Sequence, residues 1–306
     1  MSQELYNNFK SEFMAQRRQR PMMTSAIQKF KKSLDMNTYP TDTSAFAEEF
    51  LIEIDKWINA HKRCKFYGLD SFPRRDCILG TTHALDELHY MYGKKLVVYK
   101  GEYKYHRRLT DHKIRQIDSY RQIGTGDVFV LSYPSCITTG TIDEFKEMLD
   151  WCYGIGVPVH IDGAWFGCCR NFEADVGHPA VKTVSVSLSK SLSLGSQRIG
   201  IRYSRERIHG PISIMNDFRY SNVSDMWMGI NFMKHFGVDY YWNNYEHLYE
   251  KVCKDFNLTP GNAIHVAFDW EHMPVGVRTP LRFLIDGYWD EHGTNASLTD
   301  IERKER

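Results

Sequence analysis

The sequence carries almost no net charge: 39 Lys and Arg stand against 38 Asp and Glu, a formal +1 over 306 residues. So even a balance leaves out the overall field expected of a general nucleic-acid binder. Nowhere does an apolar run approach the ~18 residues of a membrane span, and the start, Met1-Ser-Gln-Glu-Leu-Tyr-Asn-Asn, lacks an apolar signal core. There is no CxxC pair. The seven cysteines (Cys64, Cys77, Cys136, Cys152, Cys168, Cys169 and Cys253) are odd in number and scattered through apolar stretches, which reads as reduced thiols rather than a disulfide framework. Internal repeats and low-complexity segments are also missing. The expectation is a soluble, cytoplasmic protein with neither a nucleic-acid nor a membrane partner. The short basic runs Arg17-Arg18-Gln-Arg20 and Lys104-Tyr-His-Arg107-Arg108 read as solvated faces.

What the chain does hold is material for a core: 42% hydrophobic residues, with 18 Tyr and 17 Phe, enough for one large domain or two modest ones. Residues 1–60 read as a mainly helical, polar segment whose beginning suits an arm. Within it, Phe46, Phe50, Leu51, Ile54, Trp57 and Ile58 recur at helical spacing after the punctuation of Pro40, Thr41 and Asp42. From Cys77 the pattern alternates. A helix from Ala84 to about Tyr92 precedes a strand Lys95–Tyr99. Next come strand Val128–Ser132, helix Ile142–Tyr153, and strands Pro158–Ile161, Thr183–Ser187 and Ile199–Tyr203. Short β-rich runs separated by helices imply an α/β fold with a mostly parallel sheet covered on both faces. Ligands in such sheets lie at the carboxyl ends of the strands, where Thr81, Asp162 and Ser187 fall. After Arg205, helices are expected at Asp225–Phe236 and Tyr240–Asp255, and strands at Asn262–Asp269 and Pro280–Ile285. The domain expectation is a helical segment 1–60, a large domain 61–205 and a small α+β domain 206–306, with a frayed charged tail at 299–306.

Lys190 is the most informative residue. It stands in Ser187-Leu-Ser-Lys190, where a strand gives way to a loop of small residues. Upstream lies Asp162, at the end of the apolar run Val157–Ile161; eight residues downstream lies Arg198. An amine, a buried acid and a guanidinium are what pyridoxal 5′-phosphate requires. The amine forms a Schiff base with the aldehyde, the acid keeps the ring nitrogen protonated, and the arginine grips the phosphate. Singly, each has a plainer reading: a surface lysine, a helix-capping or metal-binding acid, an ion-pair arginine. Together, in this order and at predicted strand ends, they favour the cofactor.

These strings resemble the fold-type I pyridoxal-phosphate enzymes, the aspartate aminotransferase superfamily. That family carries a D-x-A-Y motif, then S-x-S-K, then an arginine eight residues after the lysine; here they are Asp162-Gly-Ala164-Trp165, Ser187-Leu-Ser-Lys190 and Arg198. The resemblance implies a seven-stranded-type sheet in the large domain, pyridoxal phosphate as cofactor, and no metal. By the same resemblance Asp162 binds the ring nitrogen, Ala164 packs on one ring face and Lys190 carries the cofactor. Ser187, Arg198 and the turn Gly80-Thr81-Thr82 hold the phosphate; free amides and the helix dipole at that turn favour an anion on physical grounds as well. Tyr103 falls where the family stacks an aromatic ring, with Tyr105 and Tyr99 as rivals.

Two strings depart from the family. Its N-P-x-G asparagine, which bonds the cofactor's phenolic oxygen, is replaced within Ser132-Tyr-Pro-Ser-Cys-Ile-Thr-Thr-Gly140 by Ile137 or a neighbour, and its D-x-A-Y tyrosine is Trp165. Both changes point to altered cofactor electronics or a different substrate class. Near the end, Thr279-Pro-Leu-Arg282-Phe-Leu-Ile resembles the family's late strand, whose arginine clamps the substrate carboxylate, with Arg278 as the rival. His83, His106 and Trp165 either face the substrate or are simply packed. The resemblance implies an aminotransferase acting on an amino acid and an oxo acid, built as a homodimer. The alternative is a decarboxylase, lyase or aldolase-like enzyme; a scaffold that has lost turnover is disfavoured by the joint presence of Lys190, Asp162 and Arg198.

Overall fold

The structure is a computed structural model that describes residues 22–43, 45–108, 114–220, 222–269 and 273–289. The Arg17–Arg20 run, the opening of the N-terminal arm and the tail at 299–306 lie outside the described residues.

In chain order the elements are α1 (Ser25–Ser33), α2 (Phe46–Ala60), β1 (Cys64–Tyr67), β2 (Arg74–Ile78), α3 (Thr81–Tyr92), β3 (Leu96–Tyr99), β4 (Arg115–Ile117), β5 (Val128–Ser132) and α4 (Phe145–Gly154). Next come β6 (Val159–Gly163), β7 (Phe172–Asp175), β8 (Val181–Ser187), α5 (Leu188–Ser191), β9 (Gly200–Ser204), α6 (Pro211–Asp217), α7 (Val223–Phe236) and α8 (Tyr240–Asp255). The last are β10 (Thr259–Pro260), β11 (Val266–Phe268), β12 (Pro274–Gly276) and α9 (Arg278–Ile285).

The chain divides into two compact units. One is Asp35–Tyr240; the other comprises the described residues of Met1–Leu34 and Tyr241–Arg306. This differs from the boundaries expected at 60 and 205. Helix α2 presents Phe46, Phe50, Ile54, Trp57 and Ile58 as one buried stripe and packs against α7 and β2, so it belongs with the sheet. In the second unit β10, β11 and β12 form a small antiparallel sheet. There, Pro280–Ile285, expected as a strand, is helical: it lies within α9, and Pro280 sits in the first turn, where a missing N–H costs nothing.

The 35–240 unit is built on a seven-stranded sheet of order β2-β9-β8-β6-β5-β3-β4. β4, β3, β5, β6 and β8 run parallel, and β9 pairs antiparallel with both β8 and β2. The expected α/β class and mostly parallel sheet are therefore present. Every residue of β5, β6 and β9 is buried, the signature of strands covered on both faces. Leu85 and Leu88 of α3 pack with Leu96, Val98, Ile114, Val128 and Val130, each such side chain contributing roughly 1.5–3 kcal/mol by leaving water.

Sequence reading did not identify β2, because Arg74-Arg75-Asp76 interrupts its apolar run. The structure explains the charges. Asp76 Oδ2 accepts from Arg202 Nη2 at 2.6 Å, Arg202 Nη1 pairs with Glu87 of α3, and Arg202 Nη2 also reaches Ser213 Oγ at 3.1 Å. Glu87 Oε1 accepts the N–H of Ile212 at 2.8 Å. The three charged groups are all buried, so they tie β2, β9, α3 and α6 together at a site where none can be left alone. Arg202→Met should therefore destabilise the protein by about 3–5 kcal/mol, since it leaves the buried Glu87 carboxylate without its cation and Asp76 with Arg74 alone. Urea unfolding measures this, and a loss below about 1 kcal/mol would contradict the assignment.

Candidate cofactor site

Parallel pairing sets Ser132 opposite Asp162 and Asp162 opposite Ser185, and Ser187 lies opposite Gly200, the first residue of antiparallel β9. The carboxyl ends of β5, β6 and β8 thus form one edge, and the segments leaving that edge carry the expected residues.

Asp162 is 4% exposed. Its Oδ1 accepts the N–H of Ala164 at 3.0 Å, and the Thr81 hydroxyl also bonds to its carboxyl group. Burial pushes its pKa up. The Lys190 charge and the Thr81 and Ala164 bonds work against that, the charge of Glu102 adds to it, and the balance stays above the ordinary 3.8. Lys190 lies on the one-turn helix α5, with its Nζ 5.1 Å from the centre of the Trp165 ring. Ala164 and Trp165, next after β6, are both buried. Ser187 is the buried N-cap residue of α5.

The second cluster forms where β2 passes into α3. Gly80 is the N-cap residue of this 12-residue helix and holds φ at +74°. That positive φ favours glycine, and a Cβ there would stand 2.7 Å from Nη2 at the flexible end of Arg198, so the guanidinium lies directly against the helix start. Arg198 Nη2 donates to Thr82 Oγ1, and Arg198 itself holds a positive φ of 24°. Thr81, the first helical residue, reaches to Asp162, so the two clusters adjoin.

The aromatic candidates separate. Tyr99 packs edge-on against Phe129 with centroids 5.3 Å apart, and the Tyr105 hydroxyl donates to Asp86 at 2.6 Å. Tyr103 is 44% exposed and stacks on Tyr105 at 5.8 Å. Burial raises the Tyr103 pKa, and the charges of Asp162 and Arg198 both act on it, which places the ring beside the site. His83 is turned to its own helix start, where Nδ1 accepts the Leu79 N–H at 3.2 Å. His106 is buried against His89 at 3.1 Å, and burial, with His89 next, lowers its pKa to about 4, so it is a neutral packed group. Arg282 and Arg278 lie on α9 in the other unit; Arg282 is buried, with its guanidinium 5.0 Å from the Phe283 ring centre.

At the departure from the family pattern, Ile137 is 36% exposed and offers no side-chain amide; its backbone N–H donates to Ser135 Oγ at 3.1 Å. Sequence reading passed over Glu102. This buried acid after β3 accepts from Ser132 and Cys136, and only its place directly before Tyr103 hinted at it. None of the seven cysteines is in a disulfide.

No protein-family model matches the sequence, and no curated protein matches it. Solved structures do. An aromatic aminotransferase from Pyrococcus horikoshii OT3 superposes with a TM-score of 0.57 at 13% identity, over 82% of this chain and 78% of its own. For an aromatic amino acid aminotransferase from Burkholderia cenocepacia J2315 the values are 0.51, 13%, 83% and 80%. A Corynebacterium diphtheriae protein, provisionally assigned as a pyridoxal-phosphate-dependent β-cystathionase, gives 0.52, 12%, 80% and 74%. The chain has the fold of the fold-type I pyridoxal-phosphate enzymes. No described helix is long and apolar enough to cross a membrane.

The raised Asp162 pKa has a consequence for stability. The folded protein holds this proton more tightly than the unfolded chain, whose value is the ordinary 3.8. The stabilisation is complete below that value and is lost as pH rises through the higher folded one. Asp162→Asn removes that loss. The urea midpoint of the ligand-free variant should therefore gain on that of the unaltered protein as pH rises above the ordinary carboxylate value of 3.8, whereas a constant or shrinking gap would contradict the burial argument.

Proposed function

We propose that this protein is a pyridoxal-phosphate-dependent aminotransferase that moves an amino group from an amino acid to an oxo acid. The observation that carries the reading is the meeting at one sheet edge of Asp162, Lys190 and the Gly80–Thr82/Arg198 pair. The residues fit the cofactor by their chemistry: a buried acid for a ring nitrogen, an amine for an aldehyde, and helix-start amides with a guanidinium for a phosphate. The Arg198 guanidinium lies directly against the start of that helix, so cation and helix-start amides favour an anion at one place.

When bound, the cofactor supplies an electron-poor ring that takes up the electron pair of a broken Cα bond. The protein's own groups direct it. Asp162 holds a proton on the ring nitrogen, and burial strengthens that charge pair by excluding water. Ala164 and Tyr103 would border the ring on its two faces, as the family resemblance implies. Gly80, Thr81, Thr82, Ser187 and Arg198 fix the phosphate, and Trp165 borders the space around Lys190. Lys190 would hold the cofactor through Nζ, and the same amine, when free and neutral, would take up and hand back the proton of the substrate Cα. Arg282 is the proposed substrate-carboxylate clamp. A homodimer, as the family resemblance implies, and a cytoplasmic setting, as the scattered cysteines suggest, complete the reading.

A second reading, a lyase or decarboxylase acting on an amino acid, draws on the departure within Ser132–Gly140, where Ile137 or a neighbour replaces the asparagine with which the family bonds the phenolic oxygen, a change to the electronics at the ring. The resemblance to the C. diphtheriae protein is compatible with it.

The test is to load purified protein with pyridoxal phosphate and follow its absorption spectrum while a panel of amino acids is added. Conversion to the pyridoxamine form with release of an oxo acid is expected, and Lys190→Ala should slow it about a thousandfold. Release of CO₂ or ammonia without the pyridoxamine form would favour the second reading. Failure to take up the cofactor would sink both.

A further inference from the structure

One more acid lies at the same edge of the sheet. Glu102 is 4% exposed and follows β3 through a turn. Its Oε1 accepts the Ser132 N–H at 3.0 Å; its Oε2 accepts from Ser132 Oγ at 2.6 Å, Cys136 Sγ at 3.2 Å and the Tyr103 N–H at 3.0 Å. The approach to it is held as well. The Glu102 N–H donates to the Tyr99 carbonyl at 3.1 Å, and Gly101 adopts φ +90°, where a Cβ would be strained and would sit 3.4 Å from Ile137 Cδ1.

Both carboxylate oxygens face a backbone N–H, and N–H groups only donate. A glutamine could satisfy one side; on the other its NH₂ would confront a donor. Among the described residues Glu102 has four donors and no cation, a costly way to bury a charge if the sole purpose were to tie two loops. One of those donors is the backbone of the exposed Tyr103 ring, and another is the residue paired with Asp162 in the sheet. The charge of Glu102 also acts on Asp162 directly.

We propose that Glu102 is a positioning residue that locks the Tyr103 backbone to the end of β5, so that the ring and Asp162 face a bound cofactor at a set separation. This rests on the pyridoxal-phosphate reading above.

A double-mutant cycle tests it. The dissociation constant for pyridoxal phosphate is measured by quenching of tryptophan fluorescence in the full chain, for the unaltered protein, Glu102→Gln, Tyr103→Ala and the double variant. Glu102→Gln should weaken binding about tenfold when Tyr103 is present and less than about twofold when it is Ala. An equal loss in both backgrounds, or no loss in either, overturns the proposal. If Glu102→Gln does not fold, Ser132→Ala replaces it, since it removes one donor from the same oxygen that holds Tyr103. An about threefold loss confined to the Tyr103 background is then expected, and a loss shared by both backgrounds overturns the idea. If the unaltered protein binds no pyridoxal phosphate, the functional reading fails and this inference with it, an outcome distinct from binding without coupling.

Discussion

Asp162 is a carboxyl group taken out of water at the end of a strand buried on both faces, and the surrounding structure is arranged to make that tolerable. Parallel pairing puts Ser132 on one side of it and Ser185 on the other. The chain turns back at once so that the Ala164 N–H reaches it, and Thr81 comes across from another helix. Those bonds offset part of the desolvation cost but leave the group with a raised proton affinity. A buried acid in that condition gains most from a cationic partner, and the proposed ring nitrogen would be one.

The opposite end of the site obeys the reverse electrostatics. At the start of α3, backbone N–H groups, the helix dipole and Arg198 converge. That helix cannot drift, because Glu87 anchors it through Arg202 to β9 and β2 and through the Ile212 N–H to α6. Asp162 at one end and the Arg198 guanidinium at the other give the proposed site its polarity. Glu102 extends the same logic to the aromatic ring.

Much of this was legible in the sequence, for reasons that differ from place to place. β5, β6 and β8 stood out because strands covered on both faces are written as apolar runs, and Lys190, Asp162 and Arg198 stood out because each lies within a few residues of such a run's end. β2 was hidden by Arg74 and Asp76, whose charges are neutralised by partners more than a hundred residues away. β4 was hidden because an edge strand has only one residue of three buried. α9 read as a strand because eight residues rich in Leu, Phe and Ile carry too little periodicity to oppose that reading. Glu102 had little local signature beyond its place before Tyr103: its other partners arrive from residues 132 and 136, so the folded arrangement gives it a role.

The central claim, one pyridine phosphate held between Asp162, Lys190 and Arg198, is tested most directly by a crystal structure of the protein soaked in pyridoxal phosphate. The account predicts electron density continuous with Lys190 Nζ, a ring nitrogen within about 3 Å of an Asp162 oxygen, and a phosphate against the Gly80–Thr82 amides and Arg198. Ligand density elsewhere, or density at this edge with the ring nitrogen turned away from Asp162, would contradict it.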